Sequence, residues 1–481
     1  MAKKRVLILG GGFGGVYAAL RLDRTLARDG DVEVTLVNRE NFFLFTPMLH
    51  EVAASDLDLT NIVSPIRQLL RRVKFFAGEV LAVDLDRQKV RVAHGTDGHS
   101  HDVSYDYLVL ALGSQTNFYN LPGLEERALT MKTLGDAVHL RNRVIAALEE
   151  ADTECAAGVR APLMTFVVAG GGFAGVETIG AVNDFVRDAL RYYPNVTREQ
   201  VRMVLVHSGP VILPELGEEL GRYAQRKLAS QGVEVRTGVR VAEASDEGVL
   251  LSDGTRIDTR TVVWTAGTVP HMLCSSLPCP KQGGRLKVNG YMEVEGNVNV
   301  WALGDCAAVP DTRNPGKFHP PTAQHALRQG RVVAANVTAA VRGGTKRAFD
   351  FKTLGQLAAI GRRTGVAKVF GLKFSGFVAW FLWRTIYLSK LPRLEKKLRV
   401  ALDWTLDLFF PKDLVQFLTD RDTRRAVTGA AATASKGRTI PTPFDGAGHG
   451  THPNAEPDLL GAADRRRPDS VPDAVLQVHG R

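Results

Sequence analysis

Two sets of glycines carry the strongest chemical signal in the chain. Gly10, Gly12 and Gly15 follow the apolar run VLIL, and Gly170, Gly172 and Gly175 follow FVVA, 160 residues further on in each case. Both fit G-x-G-x-x-G, in which the first glycine permits a tight turn, the second lets backbone approach a pyrophosphate and the third lets helix pack on strand. Beyond each turn, from Phe13 and from Phe173, alanines and valines read as the first turns of a helix whose free N–H groups would face the phosphates. Two such units predict two nucleotide sites. No nucleophile with a base beside it is visible.

An acid is expected where the second strand of each unit ends, to accept ribose hydroxyls. Asn38 stands there in the first unit, 23 residues after Gly15, with Arg39 and Glu40 beside it, and His207 stands there in the second. An amide keeps the hydrogen bond without the charge. Histidine does not repel a 2′-phosphate as an acid does, so NADPH is not excluded; a surface histidine without ligand contact is the alternative.

The elements that must position these residues are short apolar strands. VEVTLVN and VRMVLVHSG read as second strands, and Leu108–Gly123, containing Gly113, and Val262–Pro270, containing Gly267, read as exits from the two units. A later strand, VNVWALGDCAAVP, ends in Gly304-Asp305. Asp305 reads either as an acceptor for a cofactor hydroxyl or as a helix N-cap. Strand–turn–helix repeats of this kind predict an α/β, doubly wound architecture.

Composition sets the bounds. The 481 residues allow two or three domains, and 44% hydrophobic residues with a mean hydropathy of −0.07 describe a folded globular chain. Four cysteines exclude a disulfide framework. The net charge of +10 suits phosphates, nucleic acid or an anionic membrane surface. MAKKR resembles the start of a signal peptide, but glycines interrupt the apolar stretch behind it, so a first strand is expected. No run of about 18 apolar residues predicts a transmembrane helix.

From Phe349 to Asp420 aromatics mix with cations. Between Arg384 and Arg399 lie six Lys or Arg and one acid, Glu395, beside Trp380, Phe381, Trp383 and Tyr387. That mixture suits helices lying in a bilayer interface, and equally a core helix followed by a solvated basic face. Cations beside tryptophans rather than on a recognition helix disfavour nucleic acid. His94, His99 and His101 fall in a turn-like stretch and read as solvated, with no metal site. Beyond Val427 the Ala-, Gly-, Pro- and Thr-rich chain is expected to be disordered.

Taken together, GGGFGG at 10–15, NRENFFLFTPMLHEVA at 38–53, GGGFAGVE at 170–177, WTAG at 264–267, ALGDCA at 302–307, PPTAQHALRQG at 320–330 and GLKFSGFVAWFLWR at 371–384 resemble the type II NADH:quinone oxidoreductases, single-subunit flavoproteins with two dinucleotide-binding domains. The resemblance runs to about residue 420. It implies two Rossmann-like domains: an FAD domain from 1–117 and 295–345, interrupted by an NADH domain at 118–294. A membrane-associating helical region at 346–426 and a tail at 427–481 follow.

Residue by residue, the resemblance implies FAD pyrophosphate at Gly10, Gly12, Phe13, Gly14 and Gly15, and adenosine at Asn38, Arg39 and the Val80 backbone. Isoalloxazine would border Thr46 and Pro47, ribitol would meet Asp305, and Ala323 and Gln324 would lie at the pyrimidine end, with Gly113 in the exit turn. NADH would lie on Gly170, Gly172, Phe173 and Gly175, with His207 at its ribose end and Glu177 and Gly267 near the nicotinamide. The candidate catalytic residues are Glu177 as a proton relay, Gln324 at the quinone headgroup, and Lys373 close to flavin and quinone. For Glu177 the plain alternative is a helix start favouring an acid. Arg328, where the family usually carries glutamine, and Asn38 and His207, where it usually carries an acid, depart from the pattern.

The activity implied is hydride transfer from NADH to FAD and two electrons onward to a membrane quinone, without proton pumping. The setting implied is the cytoplasmic face of the cell membrane, with a homodimer allowed. Two alternatives stand beside it. A membrane-attached redox sensor or scaffold would use the tail. A sulfide:quinone oxidoreductase would need redox cysteines near the flavin, where FFLFTPM stands; Cys274 and Cys279, in CSSLPC, read as small buried hydrophobes.

Overall fold

The computed structural model describes residues 3–95 and 99–417. Lys4–Leu9 (β1) is buried from Val6 to Leu9, as expected of a strand covered on both faces of a parallel sheet. Phe13–Asp23 (α1) follows the first glycine turn, and Val32–Asn38 (β2) returns parallel to β1. A short helix, Leu49–Ala53 (α2), precedes Lys74–Ala77 (β3), which pairs with β2. Glu79–Asp84 (β4), Lys89–His94 (β5) and His99–Ser104 (β6) then form an antiparallel meander. The stretch holding His94, His99 and His101 is therefore strand, where a turn was expected. Alternating burial of Val90 and Val92 along KVRVAH is the cause. Tyr107–Leu110 (β7) closes this part beside β1.

The second unit repeats the first. Leu129–Thr130 (β8) leads into Leu134–Thr153 (α3), which starts at a capping box in which Thr133 and Asp136 satisfy each other's backbone N–H groups. Thr165–Ala169 (β9), Phe173–Ala189 (α4), Arg202–His207 (β10), Glu218–Ser230 (α5), Val233–Thr237 (β11) and Thr261–Trp264 (β12) follow. The sheet order is β8-β12-β9-β10-β11, every pair parallel. Val300–Ala302 (β13) returns to the first sheet, giving β13-β7-β1-β2-β3, again all parallel. In both sheets the glycine turn leaves the central strand, where strand order reverses and ligands of such sheets bind. The links between the units, Ser114–Thr116 and Thr268–Pro270, run side by side as an antiparallel pair.

Ala323–Arg342 (α6) packs on α1. The chain then forms a three-stranded antiparallel sheet, Gly355–Ala359 (β14), Gly365–Val369 (β15) and Leu372–Ser375 (β16), followed by Gly376–Lys390 (α7) and Leu394–Leu406 (α8). No helix of the described residues is long and apolar enough to cross a membrane. The expected tail at 427–481 lies outside the described residues.

The aromatics of the C-terminal region divide into two groups, where composition left a bilayer interface and a core helix equally open. Trp383 and Trp404 are buried, and Arg384 lies between the Trp380 and Trp404 rings at 4.3 and 4.5 Å. Exposed apolar side chains on the two helices include Phe377, Val378 and Phe381 of α7, and Leu394, Leu398, Leu402 and Leu406 of α8. Helical spacing, which places residues three and four apart on one face, separates the two groups.

Candidate active site

Each glycine turn shows why its residues are glycine. Gly10 has φ +104° and Gly170 φ +117°, a region closed to most side chains. A Cβ on Gly15 would lie 1.8 Å from the Gly10 carbonyl oxygen, and one on Gly175 equally close to that of Gly170. Gly12 and Gly172 differ: a Cβ there would meet nothing within 4 Å. Their backbone is ordinary extended chain capping α1 and α4. The space in front of each helix N-terminus is thus open, which fits an anion held by free N–H groups.

Asn38 and His207 occupy equivalent posts. The Gly11 N–H donates to Asn38 Oδ1 at 2.7 Å, and the Gly171 N–H donates to His207 Nδ1 at 3.2 Å. Asn38 also donates through Nδ2 to the Glu40 carbonyl at 2.7 Å, so its amide is committed to bracing the turn. The bond from Gly171 requires His207 to carry its proton on Nε2, and burial holds its pKa below the ordinary value. Arg39 is exposed and paired with Glu40 at 2.8 Å. Val80 is half-buried at the start of β4, opposite Val92.

Asp305 lies in the turn Gly304–Cys306 and accepts from Ser114 Oγ at 2.7 Å, beside Gly113. Lys132 Nζ donates to the same Oγ at 2.7 Å, and burial lowers the lysine pKa while Asp305 and Asp136 oppose that shift. This Lys132–Ser114–Asp305 chain crosses from the second unit to the first. Sequence reading missed Lys132 and Ser114; the one available signal was Lys132 standing just before the capping box of α3. Gly304 N–H donates to Gln329 of α6 at 2.8 Å. Gly267 is closed in by the Tyr119 ring, 2.6 Å from where its Cβ would be.

Thr46 and Pro47 form a single tight turn ahead of α2. The adjacent Phe45 ring meets Phe13 at 5.7 Å and Tyr387 of α7 at 6.2 Å. The first glycine turn, the 46–47 turn and the C-terminal helices therefore converge.

At that convergence α2 meets α4. Glu177, 8% exposed, accepts through Oε1 from Trp383 Nε1 at 3.0 Å and from the Ala359 N–H at 3.3 Å. Its Oε2 lies 3.8 Å from His50 Nδ1. Burial pushes the Glu177 carboxyl up to about 8, with the nearby Glu51 charge adding to the shift, and burial pushes His50 down to about 4. Both are therefore neutral at pH 7, which avoids the cost of an unpaired buried charge. Glu51, also raised by burial to about 8, accepts from Trp404 Nε1 at 3.2 Å and lies 3.9 Å from Arg384. A cavity lined by His50, Glu51, Glu177, Asp184, Arg384 and Lys412 opens beside this cluster. His50, Glu51 and Trp404 were not among the site residues named from sequence, although His50 and Glu51 lie inside the quoted stretch NRENFFLFTPMLHEVA.

Ala323 begins α6, and Gln324 donates through Nε2 to the Gly355 carbonyl at 3.1 Å, joining the first unit to β14. Arg328 donates to the Gln324 carbonyl at 2.7 Å and stacks 4.1 Å from the Phe351 ring. Lys373 is exposed on β16 and ion-paired to Glu219 of α5. Strand alternation is the reason, since it sits opposite Lys368 while its neighbour Phe374 pairs with the buried Ala367. Cys306 follows Asp305, but its thiol is buried and donates to the Leu303 carbonyl at 3.2 Å. Cys274, Cys279 and Cys306 are buried, and all four cysteines are free.

Two parallel sheets with a glycine turn at the switch point of each define a two-nucleotide oxidoreductase. The profile of the pyridine nucleotide-disulphide oxidoreductases matches residues 4–330, and that of the NDH2 C-terminal domain matches 354–413. The type II NADH:quinone oxidoreductase Ndh of Mycobacterium tuberculosis is 31% identical over 448 residues, 90% of this chain and 92% of that one. Demethylphylloquinone reductase NdbB of Synechocystis is 34% identical over 411 residues, 84% of this chain and 96% of that one. The fold matches the structure of NDH2 from Plasmodium falciparum in complex with NADH with a TM-score of 0.80 at 19% identity, covering 86% of this chain and 100% of that one. The chain belongs to the type II NADH:quinone oxidoreductase family.

Proposed function

We propose that the protein oxidises NADH and reduces a membrane quinone, with FAD on the first glycine turn and NADH on the second. The observation that carries this reading is the meeting of α2, α4 and α7 at Glu177, where the two nucleotide units and the C-terminal helices touch. When bound, FAD supplies acceptance of hydride from NADH and delivery of two electrons to quinone. The chain's residues place the partners and manage protons. Gly12 and the start of α1 would hold the pyrophosphate and Asp305 would accept a hydrogen bond from a ribitol hydroxyl, while Lys132 through Ser114 fixes the Asp305 orientation. Glu177 holds a proton at pH 7 and releases it where quinone reduction consumes protons. Trp383, bonded to that carboxyl, covers it on one side.

His207 governs the nicotinamide preference in this reading. His207→Glu restores the acid expected at a ribose and should lower kcat/KM for NADPH on the order of tenfold while sparing NADH, because a carboxylate repels a 2′-phosphate. Steady-state kinetics with both nucleotides measure this. An unchanged ratio would move the ribose end away from His207.

The enzyme rests on the cytoplasmic face of the membrane through α7 and α8. Leu394, Leu398 and Leu402 form a stripe at four-residue spacing, 57–72% exposed, beside Lys390, Arg393, Lys397 and Arg399. Burial of such side chains contributes about 1.5–3 kcal/mol each, and cations add attraction to anionic lipid. Phe377→Asp with Leu398→Asp should reduce flotation with quinone-loaded anionic liposomes at least about tenfold and cut turnover with the embedded quinone, while a water-soluble quinone is still reduced. Undiminished flotation would contradict the placement. Loss of turnover with both quinones would contradict the assigned activity of the separate site.

A further inference from the structure

Among the described residues, His94, His99 and His101 are the one group of three metal-binding side chains gathered closely enough to share an ion. His94 closes β5 directly opposite His99, which opens β6, and His101 lies two residues further along. Alternation puts all three on one face. The His94 and His101 rings stack at 4.7 Å and 3°, and His99 closes the triangle at 5.2 and 4.8 Å. Phe76 of β3 backs His94 and His101 from one side at 5.9 and 6.2 Å. Their ring nitrogens lie within 4.8 Å of one another, and His94 Nε2 is buried without a hydrogen-bond partner among the described residues. Asp102, the carboxylate next in sequence, is on the opposite face and paired with Arg91 at 3.0 Å.

Three imidazoles gathered on one face, with no carboxylate between them, offer three nitrogen ligands. We propose that this hairpin is a three-histidine site for a borderline divalent transition cation of the Zn²⁺ type, with solvent completing the coordination. Zn–N bonds of about 2.0–2.1 Å in tetrahedral geometry need nitrogens about 3.3 Å apart, within reach of ring rotations from the present spacing. An all-nitrogen set selects Zn²⁺, Cu²⁺ or Ni²⁺ over Mg²⁺ and Ca²⁺. Both His99 and His101 are exposed, which leaves room for ion entry and a fourth ligand. None of the three histidines is among the residues assigned to flavin, nicotinamide or quinone, so the site does not depend on the proposed reaction.

The test is calorimetric titration of chelator-stripped, untagged, full-length flavoprotein with ZnCl2. One equivalent should bind with a Kd on the order of micromolar, and His99→Gln or His101→Gln should weaken it at least about tenfold. FAD content and NADH turnover of these variants should match the parent, which separates the site from the redox reaction. Equal zinc affinity and stoichiometry in the His99→Gln/His101→Gln double variant would overturn the proposal. So would the absence of stoichiometric binding in the parent protein.

Discussion

Gly172→Val should raise the KM for NADH on the order of 100-fold with FAD still bound, and Gly12→Val should yield a folded protein that purifies without flavin. The expectation rests on the contrast inside each glycine turn. Gly12 and Gly172 have backbone angles open to any residue, and a Cβ there meets no protein atom within 4 Å. A side chain at these positions therefore leaves the fold alone and enters the open space proposed here for the pyrophosphate. One phosphate position lost from a helix N-terminus, with its charge-assisted hydrogen bonds, accounts for several kcal/mol. Gly15→Val and Gly175→Val should behave differently, because their Cβ would strike a carbonyl oxygen at 1.8 Å. They should lower Tm and solubility whatever the ligand. Flavin absorbance per protein, Tm and nucleotide kinetics on the four variants separate these outcomes, and an unchanged NADH KM in Gly172→Val would remove the second turn from the nicotinamide site.

Glu177→Gln should slow quinone-driven reoxidation on the order of 100-fold at pH 7, the usual scale of a lost general acid, while reduction by NADH changes little. Glutamine keeps an oxygen for Trp383 Nε1 and the Ala359 N–H, so packing survives. It removes the proton. Burial raises the Glu177 carboxyl to about 8, so it is protonated and neutral below that pH and ionised above it. Parent turnover should accordingly fall as pH rises through about 8, and that limb should vanish in Glu177→Gln. A variant that keeps both the rate and the alkaline limb would show that Glu177 is only a packing residue.

Both sheets were legible because their signals are local. Apolar β-branched runs, glycine spacing and the alanine-rich starts of α1 and α4 lie within a few residues of one another. The groups that sequence reading missed are joined through long-range contacts instead. Ser114 meets Asp305 across 191 residues and brings Lys132 with it, and His50 reaches Glu177 only because α2 packs on α4. Trp383 has the same neighbours in sequence whether it faces lipid or core; its burial followed from helix phase against β14, which composition does not encode. The Lys373–Glu219 pair was hidden by the same logic, since adjacent residues of a strand face opposite sides and the partner lies on a distant helix. The histidine hairpin was read as a turn because Gly95 and Gly98 punctuate it, although the alternating valines already marked β5.

The most direct test of the two-nucleotide, two-electron reading is anaerobic stopped-flow absorbance of the bound flavin. The purified protein is mixed with NADH and then with a water-soluble quinone. Rapid bleaching by NADH followed by full reoxidation with quinone, each step at least as fast as steady-state turnover, is the predicted result. Bleaching that no quinone reverses would contradict the account and point to a different electron acceptor.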